Sequence, residues 1–347
     1  MRQLNAGQPV DMMEIARQTT QRDVERLPKG TVKAVAPAKV NLYLGVGPRR
    51  ADGYHDVCNV MQTVMLHDVV YLWPADAPGE VTCECRACEG LPPLDAVPAD
   101  NLACRAVRAL AARVFDPQDA APGVGIRIEK HIPAQAGLGG GSSDAAAALM
   151  GAARLWEDAG AVESGVITTQ LLEEVAAGVG ADAAFFLRGG AALYDGVGER
   201  FVRAFASRRD SVVIIKPEEG LSTAAVYRAF DEGAGAREAA GNVEGSCCSR
   251  FGGDAQDGSL TSAAQIPLFN ALQAPAESQL SLISDIIAFA AAQPGVTAVQ
   301  MSGSGSAVFA ICTDFGSACK LTAAAKLKGW WARTTAFGPV RAAVTPA

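Results

Sequence analysis

Residues 132–144 read IPAQAGLGGGSSD and decide how the rest of the chain is interpreted. The alternating segment before them, 123–133, predicts a strand, and the alanine-rich segment after them predicts a helix to residue 156. Clustered glycines permit positive φ angles and leave backbone N–H groups free to face an anion. The helix N-terminus adds partial positive charge, and serine hydroxyls add donors. We therefore expect a polyphosphate-binding loop formed by Gly137, Leu138, Gly139, Gly140, Gly141, Ser142 and Ser143.

Other glycine motifs fit this segment poorly. A Walker loop requires GxxxxGK[ST], and no lysine follows these glycines. A dinucleotide fingerprint requires GxGxxG inside a β-α-β unit, whereas the sixth position here is Ser142 and the surroundings lack that alternation. A flexible linker is disfavoured because the loop directly joins a clear strand to a clear helix.

Composition limits the class of protein. The chain has 347 residues, of which 49% are hydrophobic and 19% charged, so it can bury a large core in two domains or in one large domain with an appendage. No run approaches the ~20 apolar residues of a membrane span, which excludes an integral membrane protein. The formal net charge of −7 disfavours a nucleic-acid partner, so an anionic substrate would need a local cationic pocket.

The cysteines and the first residues carry weaker signals. Nine cysteines is an odd number without the spacing of a small disulfide scaffold. Cys83, Cys85 and Cys88 form CxCxxC, but a structural zinc site needs four ligands, so free thiols on a strand and its turn are favoured over a metal site. Residues 1–30 are expected to be an N-terminal extension, and they contain no apolar signal-peptide core. Their acidic residues disfavour an import signal, although a short one stays open.

Periodicity and turn residues predict a mixed set of elements. Strands are expected at 31–47 (broken at Pro37), 57–74, 123–133, 211–217 and 330–337, with strand–turn–strand units at 183–201 and 297–312. Helices are expected at 100–115 (capped by Asp100 or Asn101), 168–180, 222–231, 317–329 and within 268–292, and the segment 136–156 is expected to be the glycine loop running directly into a helix. Residues 75–99 are predicted as a loop with short strands, and 232–264 as a flexible insertion. Because regular β-α-β alternation is missing, the fold class is α+β.

Three motifs carry a family resemblance. IPAQAGLGGGSSDAAAAL (132–149) resembles the phosphate-binding motif of the GHMP kinases, PAKVNLYL (37–44) resembles their first motif, and MSGSGSAVFA (301–310) their third. The resemblance covers about residues 31–340 apart from the insertion. It implies a ribosomal protein S5 domain 2-like N-terminal domain (31–190), a ferredoxin-like α/β sandwich as C-terminal domain (191–347), and a cleft between them.

One branch of the family is more similar than the others. PAKVNLYLGVGPRRADGYHDV (37–57), VGADAAFFLRGGAALYDGVGE (179–199) and LSTAAVYRAF (221–230) look like the branch that phosphorylates the 2-hydroxyl of a cytidine-diphosphate-linked sugar alcohol in non-mevalonate isoprenoid synthesis. RADGYH discriminates this branch from the rest. Another small-molecule kinase of the homoserine or mevalonate type and a non-catalytic nucleotide sensor stay open as alternatives.

The resemblance also implies roles for single residues. Asp182 matches the catalytic aspartate, Lys39 and Asn41 match residues near the reacting hydroxyl, Tyr54 and His55 match cytosine recognition, Tyr227 matches the second aromatic wall, Thr223 a substrate contact, and Asn101 and Lys130 nucleotide contacts. The family usually has proline soon after the aspartate, whereas this chain reads GADAA. LFNALQAPA (268–276) lacks the acids of its family counterpart, so no role is predicted for it.

The implied chemistry is phosphoryl transfer from ATP, with Mg²⁺ as the accompanying ion because hard oxygen ligands suit it. Asp182 would accept the hydroxyl proton, and Lys39 would orient that carboxylate and offset negative charge. The expected partner is a small cytidine diphosphate derivative, with no nucleic-acid or membrane partner. We expect a cytoplasmic monomer or homodimer, located in the plastid stroma if the extension is an import signal.

Overall fold

The structure is a computed structural model that describes residues 27–88, 90–92, 101–116, 118–233, 251 and 262–345. Most of the predicted N-terminal extension and of the predicted insertion at 232–264 lies outside these residues. No helix in the described part of the chain is long and apolar enough to cross a membrane.

Twelve strands form two sheets within the described residues. They are β1 (Val32–Arg49), β2 (His55–Ala75), β3 (Val81–Ala87), β4 (Gly123–Lys130), β5 (Ala191–Asp195), β6 (Arg200–Phe205), β7 (Ser211–Lys216), β8 (Phe269–Asn270), β9 (Val296–Met301), β10 (Val308–Cys312), β11 (Trp331–Ala336) and β12 (Ala343–Thr345). The larger sheet has the order β12-β1-β2-β4-β3, with β5 paired to β2 and β6, and β8 paired to β1. The smaller sheet has the order β11-β7-β10-β9. The predicted domain boundary at 190/191 stays a prediction.

Eight α-helices are described. They are α1 (Leu102–Val114), α2 (Gly140–Asp158), α3 (Thr169–Val179), α4 (Ala183–Arg188), α5 (Thr223–Glu232), α6 (Gln273–Gln279), α7 (Leu282–Ala291) and α8 (Phe315–Leu327), besides a 3-10 turn at Ala263–Gln265. Asn101 caps α1, since its Oδ1 accepts from the backbone N–H of Ala103 at 2.8 Å. The sequence does not predict β8, which lies within the segment 268–292 that was predicted as helical, because this strand has only two residues.

Two local predictions were wrong. The segment 183–188, predicted as part of a strand, is helix α4, because a short apolar run fits a buried helix as well as a strand. Residues 183–187 are buried where α4 packs against α2 and α3. Pro37 does not break β1 but lies within it, and the pairing with β2 shifts register between Pro37 and Lys39. A register irregularity accommodates a residue that lacks the N–H of the ladder.

The secondary structure is stacked in four layers, and the hydrophobic core lies between them. Helices α1–α4 pack on one face of the larger sheet, and the other face packs on the smaller sheet, which is covered in turn by α5–α8. Strand β7 illustrates this layering, because its side chains alternate between the two faces of the smaller sheet. Val212 and Ile214 face the larger sheet, while Val213 and Ile215 face the helices. A strand buried on both faces reads as a continuous apolar run, as 211–217 does. This layering brings β1, the loop before α2 and the N-terminus of α4 to one edge.

Candidate active site

The glycine loop lies between β4 and α2 and is fixed from two sides. The backbone N–H of Lys39 on β1 donates to the Leu138 carbonyl at 3.0 Å, and the N–H of Ala307 donates to the Ala136 carbonyl at 3.2 Å. Gly137 and Gly139 both have φ of 70°. A Cβ on Gly137 would lie 2.0 Å from the carbonyl oxygen of Ser302, so only glycine fits this close approach.

Two cavities meet at this loop. The larger, of about 820 Å³, and the smaller, of about 410 Å³, share Gly137, Gly139 and Ser142 in their walls. The larger contains these predicted site residues: Lys39, Asn41, Tyr54, His55, Asp182, Thr223 and Tyr227. The smaller contains Asn101, Lys130, Leu138, Gly140 and Gly141. Ser143 is the predicted site residue that lines neither, because it is fully buried at the start of α2. The structure thus collects residues from distant parts of the chain around one loop.

Lys39 and Asp182 face each other in the larger cavity. Lys39 Nζ lies 3.4 Å from Asp182 Oδ2 and donates to Asn41 Oδ1 at 2.7 Å. The Lys39 side chain is buried, while the Asp182 side chain, at the start of α4, is 25% exposed and accessible from the cavity. Asn41 in turn donates to Asn59 Oδ1 at 2.7 Å. The arrangement presents a carboxylate to the cavity and holds an ammonium group beside it.

The turn between β9 and β10 packs directly against the glycine loop and completes the wall of the larger cavity there. Ser302 Oγ donates to the Gly137 carbonyl at 2.9 Å, and Gly303 and Ser304 line the larger cavity. Asn270 Nδ2 holds this turn by donating to the carbonyls of Met301 at 2.9 Å and Gly303 at 2.8 Å. The sequence analysis gave 268–276 no role. The asparagine within this apolar segment, Asn270, was the sequence signal that could have indicated its role in holding the turn.

The far end of the larger cavity is aromatic. The rings of His55 and Tyr227 lie 5.2 Å apart at an interplanar angle of 36°, and Tyr54 is 64% exposed at the rim. Burial, with a contribution from the Asp182 charge, raises the pKa of Tyr227 to about 12. Thr223 Oγ1 lies 2.9 Å from Ser304 Oγ, which ties α5 to the β9–β10 turn.

Asp231 is a site residue that the sequence analysis missed. His55 Nδ1 donates to the Gly47 carbonyl at 2.9 Å, and its Nε2 lies 3.3 Å from Asp231 Oδ1. Asp231 follows Tyr227 by four residues on α5, so both side chains project from the same helix face. That spacing could have placed an acid next to the aromatic wall.

Lys130 lies in the smaller cavity between two carboxylates. Its Nζ donates to Asp144 Oδ2 at 2.5 Å and to Asp68 Oδ2, and Asp68 Oδ1 also accepts from the backbone N–H of Ile132 at 2.8 Å. Burial acts to lower the pKa of Lys130, but the charges of Asp144 and Asp68 outweigh it and raise that pKa. The ammonium group is therefore retained beside the glycine loop. Asp68, in the middle of a strand, gave no sequence signal.

The start of α2 contains oxygen atoms without partners. Ser143 Oγ and Asp144 Oδ1 are buried and have no hydrogen-bond partner among the described residues. A hydroxyl and a carboxylate oxygen are donors that suit Mg²⁺, which usually takes its remaining ligands from phosphates and water. The described residues contain no group of three or more His, Cys, Asp or Glu that could hold a metal ion by themselves. The donor set therefore fits a cation that is also bound by phosphate. The cysteines of the CxCxxC motif, Cys83, Cys85 and Cys88, are free thiols on and after β3.

Comparison with known proteins shows the family of this chain. Residues 101–190 match the model of the GHMP kinases N terminal domain, and 258–328 match that of the GHMP kinases C terminal. A 4-diphosphocytidyl-2-C-methyl-D-erythritol kinase of Desulfitobacterium hafniense is 35% identical, covering 85% of this chain and 92% of the relative. The enzyme of the same name from Streptomyces coelicolor is 37% identical, covering 86% and 93%.

Solved structures of kinases have a similar fold to this chain. A 4-(cytidine 5'-diphospho)-2C-methyl-D-erythritol kinase superposes with a TM-score of 0.64 at 30% identity, covering 88% of this chain and 99% of that one. A homoserine kinase from Cytophaga hutchinsonii reaches a TM-score of 0.62 at 18% identity, covering 92% and 99%, which shows the shared fold alone. The fold class and the family expected from the motifs are confirmed. The chain therefore belongs to the GHMP kinases, a family of small-molecule phosphotransferases, and within it to the 4-diphosphocytidyl-2-C-methyl-D-erythritol kinases.

Proposed function

We propose that this protein transfers the γ-phosphoryl group of ATP to the 2-hydroxyl of 4-diphosphocytidyl-2-C-methyl-D-erythritol, in non-mevalonate isoprenoid precursor synthesis. The observation that carries the proposal is the meeting of Asp182 with the glycine loop in one cavity, with Lys39 Nζ 3.4 Å from the carboxylate. Phosphoryl transfer needs an acceptor hydroxyl and a terminal phosphate held in line, and this junction between two cavities supports that arrangement.

The proton of the attacking hydroxyl needs an acceptor. Asp182 is the carboxylate in the larger cavity that borders the glycine loop, and its partial exposure leaves one oxygen available to substrate. Lys39 keeps the carboxylate oriented and offsets the negative charge that gathers around the transferred phosphoryl group. Asn41 fixes Lys39 by accepting one of its hydrogen bonds.

The smaller cavity is the proposed ATP site. Its walls combine the glycine loop, the Lys130 ammonium group and the N-terminus of α1 at Asn101. Backbone N–H groups at the start of α2 favour phosphate oxygens. A Mg²⁺ ion held by Asp144, which lines this cavity, would neutralise part of the phosphate charge.

The aromatic end of the larger cavity is the proposed cytosine site. His55 and Tyr227 form one wall, with Thr223 beside them, and Tyr54 at the rim can close over a base. Stacking of a base on one aromatic ring contributes about 1–3 kcal/mol. Homoserine and mevalonate have no base, so this end of the cavity favours the cytidyl substrate.

The test is an ADP-release assay with the cytidyl substrate, homoserine and mevalonate, each at equal concentration with Mg-ATP. We expect turnover of the cytidyl substrate alone, with the new phosphate on the 2-hydroxyl by ³¹P NMR. Turnover of homoserine or mevalonate instead would overturn the substrate. ATP binding without turnover of any alcohol would favour the nucleotide sensor.

A further inference from the structure

Three thiols lie together behind the smaller cavity. Cys83 and Cys85 are two residues apart on β3, so their side chains share one face of the strand, and this face packs against the core that contains Cys104 of α1. All three are free cysteines, and the Cys83 thiol donates to the Glu84 carbonyl at 3.8 Å. The proposed function uses none of them.

Cys85 differs from the other two because it lines the smaller cavity. It is half-buried there, and Asn101 Nδ2 donates to its Sγ at 3.8 Å. The Asn101 amide is itself fixed, since its oxygen caps α1. The same cavity contains Asp144, whose buried Oδ1 has no partner, so the Cys85 thiol faces a space that is built for a ligand.

The neighbouring Cys83 thiol lowers the pKa of both Cys85 and Cys104. For Cys85 the Cys83 thiol is the main cause of the lowered pKa, and the Lys130 ammonium and the Asn101 amide act in the same direction, against burial and the Asp144 charge. Burial raises the pKa of Cys88, the third cysteine of the motif. Cys104 is 4% exposed and cannot be reached by a reagent in solution.

We propose that Cys85 is a redox modification site, at which a mixed disulfide with a small disulfide such as glutathione disulfide blocks the nucleotide cavity. The Cys85 thiolate attacks one sulfur of glutathione disulfide, a new S–S bond forms, the old one breaks, and the second glutathione leaves as a thiolate that takes up a proton. A bound tripeptide beside Asn101 and Lys130 occupies space that the nucleotide needs. The proposal depends on the proposed function in one respect, the assignment of this cavity to ATP.

The test measures modification and nucleotide binding separately. Reduced protein is treated with glutathione disulfide, the modified cysteine is identified by peptide mass spectrometry, and ATP binding is followed by calorimetry. We expect the mixed disulfide on Cys85, ATP binding lost in proportion to it, and recovery with dithiothreitol. ATP at ten times its Kd should slow the modification about elevenfold, because only the free protein reacts.

Two variants serve as comparisons, each judged by its own ratio of treated to untreated activity. Cys85→Ser should be insensitive to the reagent, whereas Cys319→Ser, which removes an exposed thiol on α8, should lose activity like the wild type. If Cys85→Ser fails to fold, ATP protection in the wild type decides the matter.

Modification at Cys85 that leaves ATP binding intact, an unchanged rate in the presence of ATP, or a Cys83–Cys104 disulfide as the sole product would overturn the proposal. Protection by ATP in a protein that does not turn over the cytidyl substrate would support the modification site and reject the proposed function.

Discussion

Replacing Asp182 with asparagine separates catalysis from binding. The substitution keeps the size of the side chain and an oxygen that can face Lys39 Nζ, 3.4 Å away, but removes the proton acceptor. A positioned general base contributes about 10²–10⁴-fold to the rate, which corresponds to about 3–5 kcal/mol in the transition state. The free energy of unfolding should change by about 1 kcal/mol or less, since the pair is partly exposed and Lys39 keeps its bond to Asn41.

The assay couples ADP release to NADH oxidation with saturating cytidyl substrate, beside calorimetric binding of ATP. We expect kcat of Asp182→Asn to fall by about 10²–10⁴-fold with ATP affinity within about twofold of the wild type. Glu173→Gln is the matched control. Glu173 has a similarly exposed side chain, 23% against 25%, and is paired with Arg188 outside both cavities. The reasoning is refuted if kcat of Asp182→Asn stays within threefold of the control, or if ATP affinity falls in parallel with kcat.

Three further predictions concern other walls of the site. Gly137→Ala should abolish ATP binding and lower the free energy of unfolding, measured by urea titration, by at least about 1–2 kcal/mol, because φ is positive and the new Cβ meets a carbonyl oxygen. The control is Gly178→Ala, in open space on α3, which should instead stabilise the protein in the same titration. Asp231→Asn should raise KM for the cytidyl substrate about fivefold through loss of a charge-assisted contact to His55, with KM for ATP unchanged in steady-state kinetics; an equal rise in both constants would contradict it. Asn101→Ala should destabilise the fold by about 1 kcal/mol through loss of the α1 cap, whereas Asn101→Asp keeps the cap. Both variants should bind ATP more weakly in calorimetry, and normal ATP affinity in Asn101→Asp would show that the Asn101 amide does not contact the nucleotide.

The sequence predicted the local elements well where a strong signal stands at each end. Asn101 begins α1, Gly180 ends α3, and the glycine loop leads into α2 as expected. The errors occurred where burial on all sides removes the periodic pattern. Residues 183–188 form a helix rather than a strand, and Pro37 lies in β1 because the register of the larger sheet shifts there.

For the candidate site, the motifs predicted the site residues but not the groups that hold them in place. Asp231, Asp68 and Asn270 each contact a site residue or a site turn, and none belongs to a motif. Their positions depend on which strand or helix lies alongside another. Contacts of this kind join residues far apart in the chain, as Asp68 and Lys130 are, and no local pattern records them.

The sequence by itself determined the backbone chemistry of the loop at 137–143, because glycine, serine and a following helix produce an anion site through local conformation alone. Tertiary structure alone decided that this loop lies between two cavities and that Lys39 meets Asp182 across one of them. The physical reason is the layered packing. The register of β1 on β2 and the burial of α4 against α2 and α3 set these distances, and both depend on the whole core rather than on any one segment.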